Sequence, residues 1–211
     1  MVLIALLIGA SVAMGAVLYH LRAKAHERLL AGEATTPTRA PQVAPVEQAT
    51  LLVANDNEDT LDTRILSLPL PQSPDMRARA ILGKMMDLYA APGSSHTVSG
   101  GATAIQQVFL LPAGDPPTIA APALQTAHSQ TSPELAVVNL SSAFAAGHPT
   151  GIETESLTLL SICATLHANL PRVAEVRFLV GGQPRSTLNG HADLTRTYLT
   201  ADLTSVAGAN R

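Results

Sequence analysis

Residues 150–180 read TGIETESLTLLSICATLHANLPRVAEVRFLV, and this run decides the fold: a helix, a stop, then a strand. Thr150 and Glu153 have the spacing of a capping box, which places the helix start. Leu157, Leu159, Leu160, Ile162, Cys163, Leu166 and Leu170 cover so wide a face that the helix is expected at the centre of the core. Pro171 cannot continue it. From Val173 to Val180 the residues alternate, with Val176 and Phe178 expected inward and Glu175 and Arg177 outward. Gly181 and Gly182 both tolerate positive φ, so a tight hairpin turn is expected, with a last strand near Pro184 to Leu188.

Upstream the same logic gives more elements. Thr50 to Asn55 and Leu61 to Leu68 read as a strand pair joined by the turn residues Asn55 to Asp59. That acidic turn lacks the glycine and terminal glutamate of a calcium loop, so it reads as solvated. Ser73, Pro74 and Asp75 open a helix as N-cap, first-turn proline and dipole partner. Its inward face carries Ala78, Ile81, Leu82, Met85, Leu88 and Tyr89. Ile105 to Leu111 and Leu135 to Leu140 are two further strands, expected to be antiparallel. The proline-containing segment 112–133 between them reads as a flexible loop.

The amino-terminal end has a different character. Val2 to Leu21 holds no charged residue, and at about 1.5 Å per residue it just spans a hydrocarbon core of about 30 Å. It is expected to be an uncleaved anchor, with a signal peptide cut near Ser11-Val12-Ala13 as the competing reading. Arg22, Lys24 and Arg28 follow it, and the positive-inside rule would hold the rest of the chain in the cytoplasm. Residues 31–48 carry Pro37, Pro41 and Pro45 among small polar residues and read as an extended spacer. The organisation expected is therefore an anchor and basic flank over 1–30, a linker over 31–48, one α/β domain of the α+β type over 49–199, and a tail over 200–211. That domain is expected to have a mixed, largely antiparallel sheet with two main helices packed on it.

Composition removes several function classes. The net charge of −3 argues against nucleic acid, which binds through clustered Lys and Arg. There are three Phe, three Tyr and no Trp, too few for stacking platforms. One cysteine, Cys163, excludes an intrachain disulfide and reads as a buried core residue.

Three pieces carry a resemblance. They are Ala136 to Phe144 (AVVNLSSAF), Glu155 with Leu157 to Leu166 (LTLLSICATL), and Val176 to Pro184 (VRFLVGGQP) followed by Leu188 to Leu194 (LNGHADL). In order and spacing they resemble the GerMN domain of sporulation and spore germination. Leu68 to Pro71 before Arg77 to Ala80 is similar to that family's entry to its first helix. Asn139, Leu160 and Ala164 depart from residues frequent in the family. The resemblance implies an extracytoplasmic, membrane-tethered domain of envelope machinery, and it carries no catalytic residues. The motif positions are Asn139, Ser141, Ser142, Glu155, Gly190, His191 and Asp193.

Seven histidines invite a search for chemistry. His96, His148 and His167 stand isolated in sequence, and no pair has helix-borne metal spacing. His191 with Asp193 has the makings of an oriented base or a zinc ligand. The competing reading is a turn at Gly190 in which Asp193 accepts backbone N–H groups. Glu153 and Glu155 lie on different helix faces and read as partners of the helix dipole. No G-x-S-x-G elbow surrounds Ser141-Ser142. The sequence thus assigns no catalytic, cofactor or metal set. It points to a module bound to the lipid bilayer through residues 2–21, with an envelope protein partner or a second copy of itself. A cell-wall hydrolase or metal-dependent enzyme using His191 and Asp193, with Glu155 in support, is the first alternative. A small-ligand-binding domain is the second.

Overall fold

The computed structural model describes residues 14–19, 44–113 and 132–200. Residues 14–19 are helical. The rest of the expected anchor, the spacer up to residue 43, the middle of the 112–133 loop and the tail beyond Thr200 lie outside the described residues. Among the described residues no helix is long and apolar enough to cross a membrane.

The described residues from 44 onward form one compact α+β unit. Strand β1 (Val46–Asn55) turns back on β2 (Thr60–Pro69), and the two form a separate two-stranded antiparallel sheet. Helix α1 (Pro74–Ala90) follows, then a short 3-10 turn (Gly101–Ala104). Strands β3 (Ile105–Pro112) and β4 (Glu134–Leu140) pair antiparallel, as their sequence patterns predict. A short helix α2 (Ser142–Gly147) and the long helix α3 (Ile152–Asn169) carry the chain over to β5 (Val173–Val180). β5 lies parallel to β4, and the two-residue strand β6 (Tyr198–Leu199) closes the order β3-β4-β5-β6.

The long helix is central, as its wide apolar face predicts. Leu159, Ile162 and Cys163 have no exposed surface, and Leu166 has almost none. They share one core with Ile81, Leu82, Met85 and Tyr89 of α1 and with Val138, Leu140, Val176 and Phe178 of the sheet. Burial of Cys163 pushes its thiol far above the usual range.

Four expectations need correction. The strands do not form one sheet, because the outer edge of β1 is closed by side chains of α3 and α1. Thr165 Oγ1 accepts from Leu52 N at 2.9 Å, and Tyr89 Oη accepts from Ala54 N at 2.8 Å. Asn169 accepts from Thr50 N at 3.0 Å and donates to Thr50 O at 2.6 Å. Next, Ser73 occupies the N-cap of α1 but makes no side-chain capping bond. Asp75 in the first turn instead accepts from Leu110 N at 3.0 Å, tying the edge of β3 to the helix start. The α3 N-cap is Gly151 rather than Thr150, so no capping box forms. Finally, the Gly181-Gly182 turn is present, with φ of 59° and 77°, but residues 184–188 are not a strand. Pro184 has no N–H to give a ladder. The chain folds on itself through Leu194 N to Ser186 O and Leu188 N to Ala192 O. The place beside β5 goes to β6.

Truncating the α3 core tests this layout. Leu159→Ala or Ile162→Ala should cost about 2–5 kcal/mol, the usual range for a buried aliphatic. Urea titration of the wild type and each variant measures it; a loss below about 1 kcal/mol would place α3 at the surface.

Candidate functional site

The first turn of α3 carries Glu155 into the interior, where it has no exposed surface. A lone buried carboxylate would be costly. Here it is surrounded by donors from one loop. Oε2 accepts from Asn189 N at 3.0 Å, His191 N at 3.0 Å and Ala192 N at 2.9 Å. Oε1 faces His191 Nδ1 at 3.0 Å and, more weakly, Gly151 N at 3.5 Å. Because a carboxylate only accepts, His191 presents Nδ1–H to it. Gly190, at φ 123°, supplies the positive-φ backbone that lets the N–H groups of Asn189, His191 and Ala192 converge on one oxygen. Asn189 Nδ2 adds a bond to His148 O at 2.6 Å, so the loop is fixed to the segment before α3 as well. Burial alone pushes the Glu155 carboxyl up; the donors of Ala192, His191 and Asn189 outweigh it and hold the group at about 2.

One turn further along α3, Thr158 is the hub of a second buried cluster. Its hydroxyl lies 2.7 Å from His96 Nε2 and 2.8 Å from His148 Nε2. His96 Nδ1 meets Asp56 Oδ1 at 2.6 Å, and His148 Nδ1 meets Pro149 O at 2.7 Å. Both outer partners accept only, so both rings carry Nδ1–H. The Thr158 hydroxyl has one proton for two Nε2 atoms. The same hydroxyl also lies 3.1 Å from Thr154 O, so it ties both rings to the backbone of α3. Burial lowers the His148 pKa below the ordinary 6.5. Tyr89 packs edge-on against His96 with ring centroids 4.6 Å apart, and Phe144 does the same to His148 at 5.4 Å.

The other motif positions lie elsewhere. Asn139 Oδ1 accepts from Gly182 N at 2.7 Å and its Nδ2 donates to Gln106 at 3.0 Å, so it bridges β3 to the turn after β5. Ser141 caps α2 through Phe144 N at 3.0 Å. Ser142 is exposed, with its Oγ beside Gly181, whose φ of 59° favours glycine. Asp193 Oδ1 accepts from Thr195 N at 2.8 Å and Thr195 Oγ1 at 2.6 Å, an Asx turn on the surface. The structure therefore separates His191 from Asp193 and joins His191 to Glu155 instead. Two readings change: Glu155, in the first turn of α3 as a dipole partner would be, is also a tertiary acceptor, and His96 and His148 are not isolated. The sequence did hold a signal for the missed residues. Thr158, Ser161, Thr165 and Asn169 recur at helical spacing as a polar stripe within an apolar helix. Among the described residues no group of three or more His, Cys, Asp or Glu could hold a metal ion. An open groove of about 420 Å³ runs beside α1, lined by Leu68, Leu70, Met76, Arg79, Gly83 and Lys84 among others, away from both clusters.

A mixed sheet with a buried carboxylate gathering one loop defines a small α+β module whose polar centre serves its own backbone. The chain belongs to the Germane family of sporulation and spore germination, whose model matches residues 53–186. No curated protein matches it in sequence. Among solved structures it is similar to the tandem GerMN domains of the sporulation protein GerM from Bacillus subtilis, at 12% identity and a TM-score of 0.41. That match covers 75% of this chain and 48% of the other, so the chain spans about half the length of that protein. A Clostridium perfringens structure described as a lipoprotein is similar at 16% identity and a TM-score of 0.32, over 81% of this chain and 97% of the other.

Two measurements probe the clusters. The Glu155 carboxyl sits at about 2 instead of the ordinary 4.5, so the stability it adds is present above pH 4.5 and is lost as pH falls towards 2. The unfolded His148 ring takes up a proton more readily than the folded one, so its share is lost as pH falls below 6.5. Chemical denaturation from pH 7 to pH 3 should show stability falling through both windows. Glu155→Gln should cost about 1.5–3 kcal/mol at pH 7 and flatten the lower window. In the second cluster, Thr158→Val strips both Nε2 atoms of their partner and should cost about 2–4 kcal/mol. Thr158→Ser keeps the hydroxyl and should cost markedly less. Equal losses for Val and Ser in urea titrations would mean that only the methyl matters.

Proposed function

We propose that this chain is a membrane-tethered, extracytoplasmic binding and assembly module of the bacterial cell envelope, without catalysis of its own. The observation that carries the reading is the occupancy of Glu155. A general base or metal ligand needs a lone pair open to substrate or metal. Both oxygens of Glu155 are engaged, three of the donors being backbone N–H groups of one loop. His191, half-exposed beside it, is held by the same carboxylate, and Asp193 turns away to Thr195. The residues that an enzyme of this kind would use are instead spent on folding the 186–194 segment. Membership of a family described for sporulation and spore germination supports an envelope role. The apolar run Val2 to Leu21 supplies the tether and the proline-containing residues 31–43, ahead of the strand that begins at Val46, the spacer. The family resemblance favours the outer side of the cytoplasmic membrane for the domain.

Cross-linking of the full chain in intact bacterial membranes should recover an envelope protein or a second copy of the chain. The purified full chain should leave cell-wall fragments uncut and carry no stoichiometric zinc. Wall hydrolysis or bound zinc that disappears in His191→Ala would replace this reading with the enzymatic one.

A further inference from the structure

The hairpin has two edges, and the described residues close one of them. In an antiparallel pair, residues directly opposite either exchange both backbone bonds or neither. Thr50, Leu52 and Ala54 send their N–H groups away from β2, to Asn169, Thr165 and Tyr89. Their register partners are Ile65, Thr63 and Leu61. The N–H and C=O groups of Leu61, Thr63 and Ile65 therefore point outward from the far edge of β2. Among the described residues no backbone or side-chain group bonds to them. β3 shows the contrast, since Asp75 of α1 takes the outward N–H of Leu110. Thr63 and Arg64 are exposed, and Ile65 keeps 62% of its surface in solvent. An open strand edge is a template for another strand.

The sequence along that edge says which strand fits. It reads Leu61, Asp62, Thr63, Arg64, Ile65. Laid antiparallel on a second copy with the two-fold axis at Thr63, Asp62 of each chain faces Arg64 of the other, and Leu61 faces Ile65. Thr63 faces Thr63. Shifting the axis to Arg64 or to Asp62 sets like charges against each other. Shifting it to Ile65 leaves both charges without a partner of opposite sign. Opposite charges directly across a pair stabilise it, and like charges destabilise it. In the Thr63 register the outward-pointing Leu61, Thr63 and Ile65 face one another across the pair, so these residues of the two chains make six new backbone bonds. Arg64 makes no ion pair among the described residues. Pro69 ends the edge, since it has no N–H to offer.

We propose that two copies of this chain associate through β2, edge to edge and antiparallel about Thr63, joining their hairpins into one four-stranded sheet. This deepens the assembly reading above by naming the partner as a second copy. The tether helps, because chains held at one surface meet at a raised effective concentration.

The register makes the test specific. Positions 62 and 64 of opposite chains form a non-hydrogen-bonded pair with Cα atoms about 4.5 Å apart, within disulfide reach. Equivalent positions, 62 with 62 or 64 with 64, are diagonal neighbours at about 7–8 Å, beyond it. Full-length Asp62→Cys mixed with full-length Arg64→Cys in detergent should therefore oxidise to the mixed dimer, while either variant alone should give far less. The mixed pair keeps the second Asp62–Arg64 contact. In sedimentation runs on the cysteine-unmodified background, Arg64→Asp should weaken association about tenfold or more. The double inversion Asp62→Arg with Arg64→Asp should restore it. Thr63→Pro leaves the β1 ladder intact, because the Thr63 N–H is not part of it, and should abolish association with the monomer still folded by circular dichroism. No mixed disulfide, or equal disulfide in the separate variants, overturns the edge and its register. If membrane cross-linking still recovers a different envelope protein in that case, the module reading stands and only this interface falls.

Discussion

Three backbone N–H groups on one edge of β1 hold the architecture together by having nowhere else to go. Thr50, Leu52 and Ala54 lie where no strand follows, and a buried N–H without a partner costs about as much as a lost hydrogen bond. Leu52 and Ala54 are buried, so water is not available to them. The polar stripe on α3 and the Tyr89 hydroxyl take the place of the missing strand. Burial pushes the Tyr89 phenol up to about 12, which keeps it a neutral partner for Ala54 N–H. This seam fixes where α3 lies along the hairpin. Everything on the helix is then placed with it: Thr158 between His96 and His148, and Glu155 beneath the 189–192 backbone.

The same seam explains why two sheets exist instead of one. A helix in contact with a strand edge blocks further pairing on that side, so β3, β4, β5 and β6 build their own sheet. Helix α1 repeats the device at a second place, with Asp75 taking Leu110 N and Arg79 Nε reaching Ile105 O at 3.4 Å. Polar side chains that a helical wheel would set down as imperfections in an apolar face are the acceptors that let helices border strands.

Much of the fold was legible because it is local. Leu159, Ile162 and Leu166 declare a buried helix by their spacing, and Val176 and Phe178 declare a strand face. Gly181 and Gly182 declare their turn through backbone freedom. What stayed hidden has partners far along the chain. Thr165 is 113 residues from Leu52, and Asn169 is 119 from Thr50. No period within the helix encodes that distance. Ser73 and Asp75 were read by their position at a helix start, and tertiary structure gave Asp75 a different task. Glu155 likewise has the composition of a dipole partner, yet it meets a loop more than thirty residues on. His96 and His148 look solitary in sequence because the group that joins them, a threonine hydroxyl, carries no metal-site or catalytic signature. Asp193 went the other way: its surface Asx turn follows from residue type and spacing alone.

The separation across the seam also sets an order of events during biosynthesis. Residue 169 leaves the ribosome well after β1 has been made. At the usual rate of about 5–20 residues per second the interval is about 6–24 s. For most of it, Tyr89 and β2 are already present, but Thr50 and Leu52 of the β1 edge are without their partners, so the growing chain carries a hairpin still largely open on both sides. Only the arrival of Thr165 and Asn169 converts one of those edges into an interior surface. The nascent chain is thus most vulnerable to strand capture by its neighbours in the stretch of synthesis before α3 is complete.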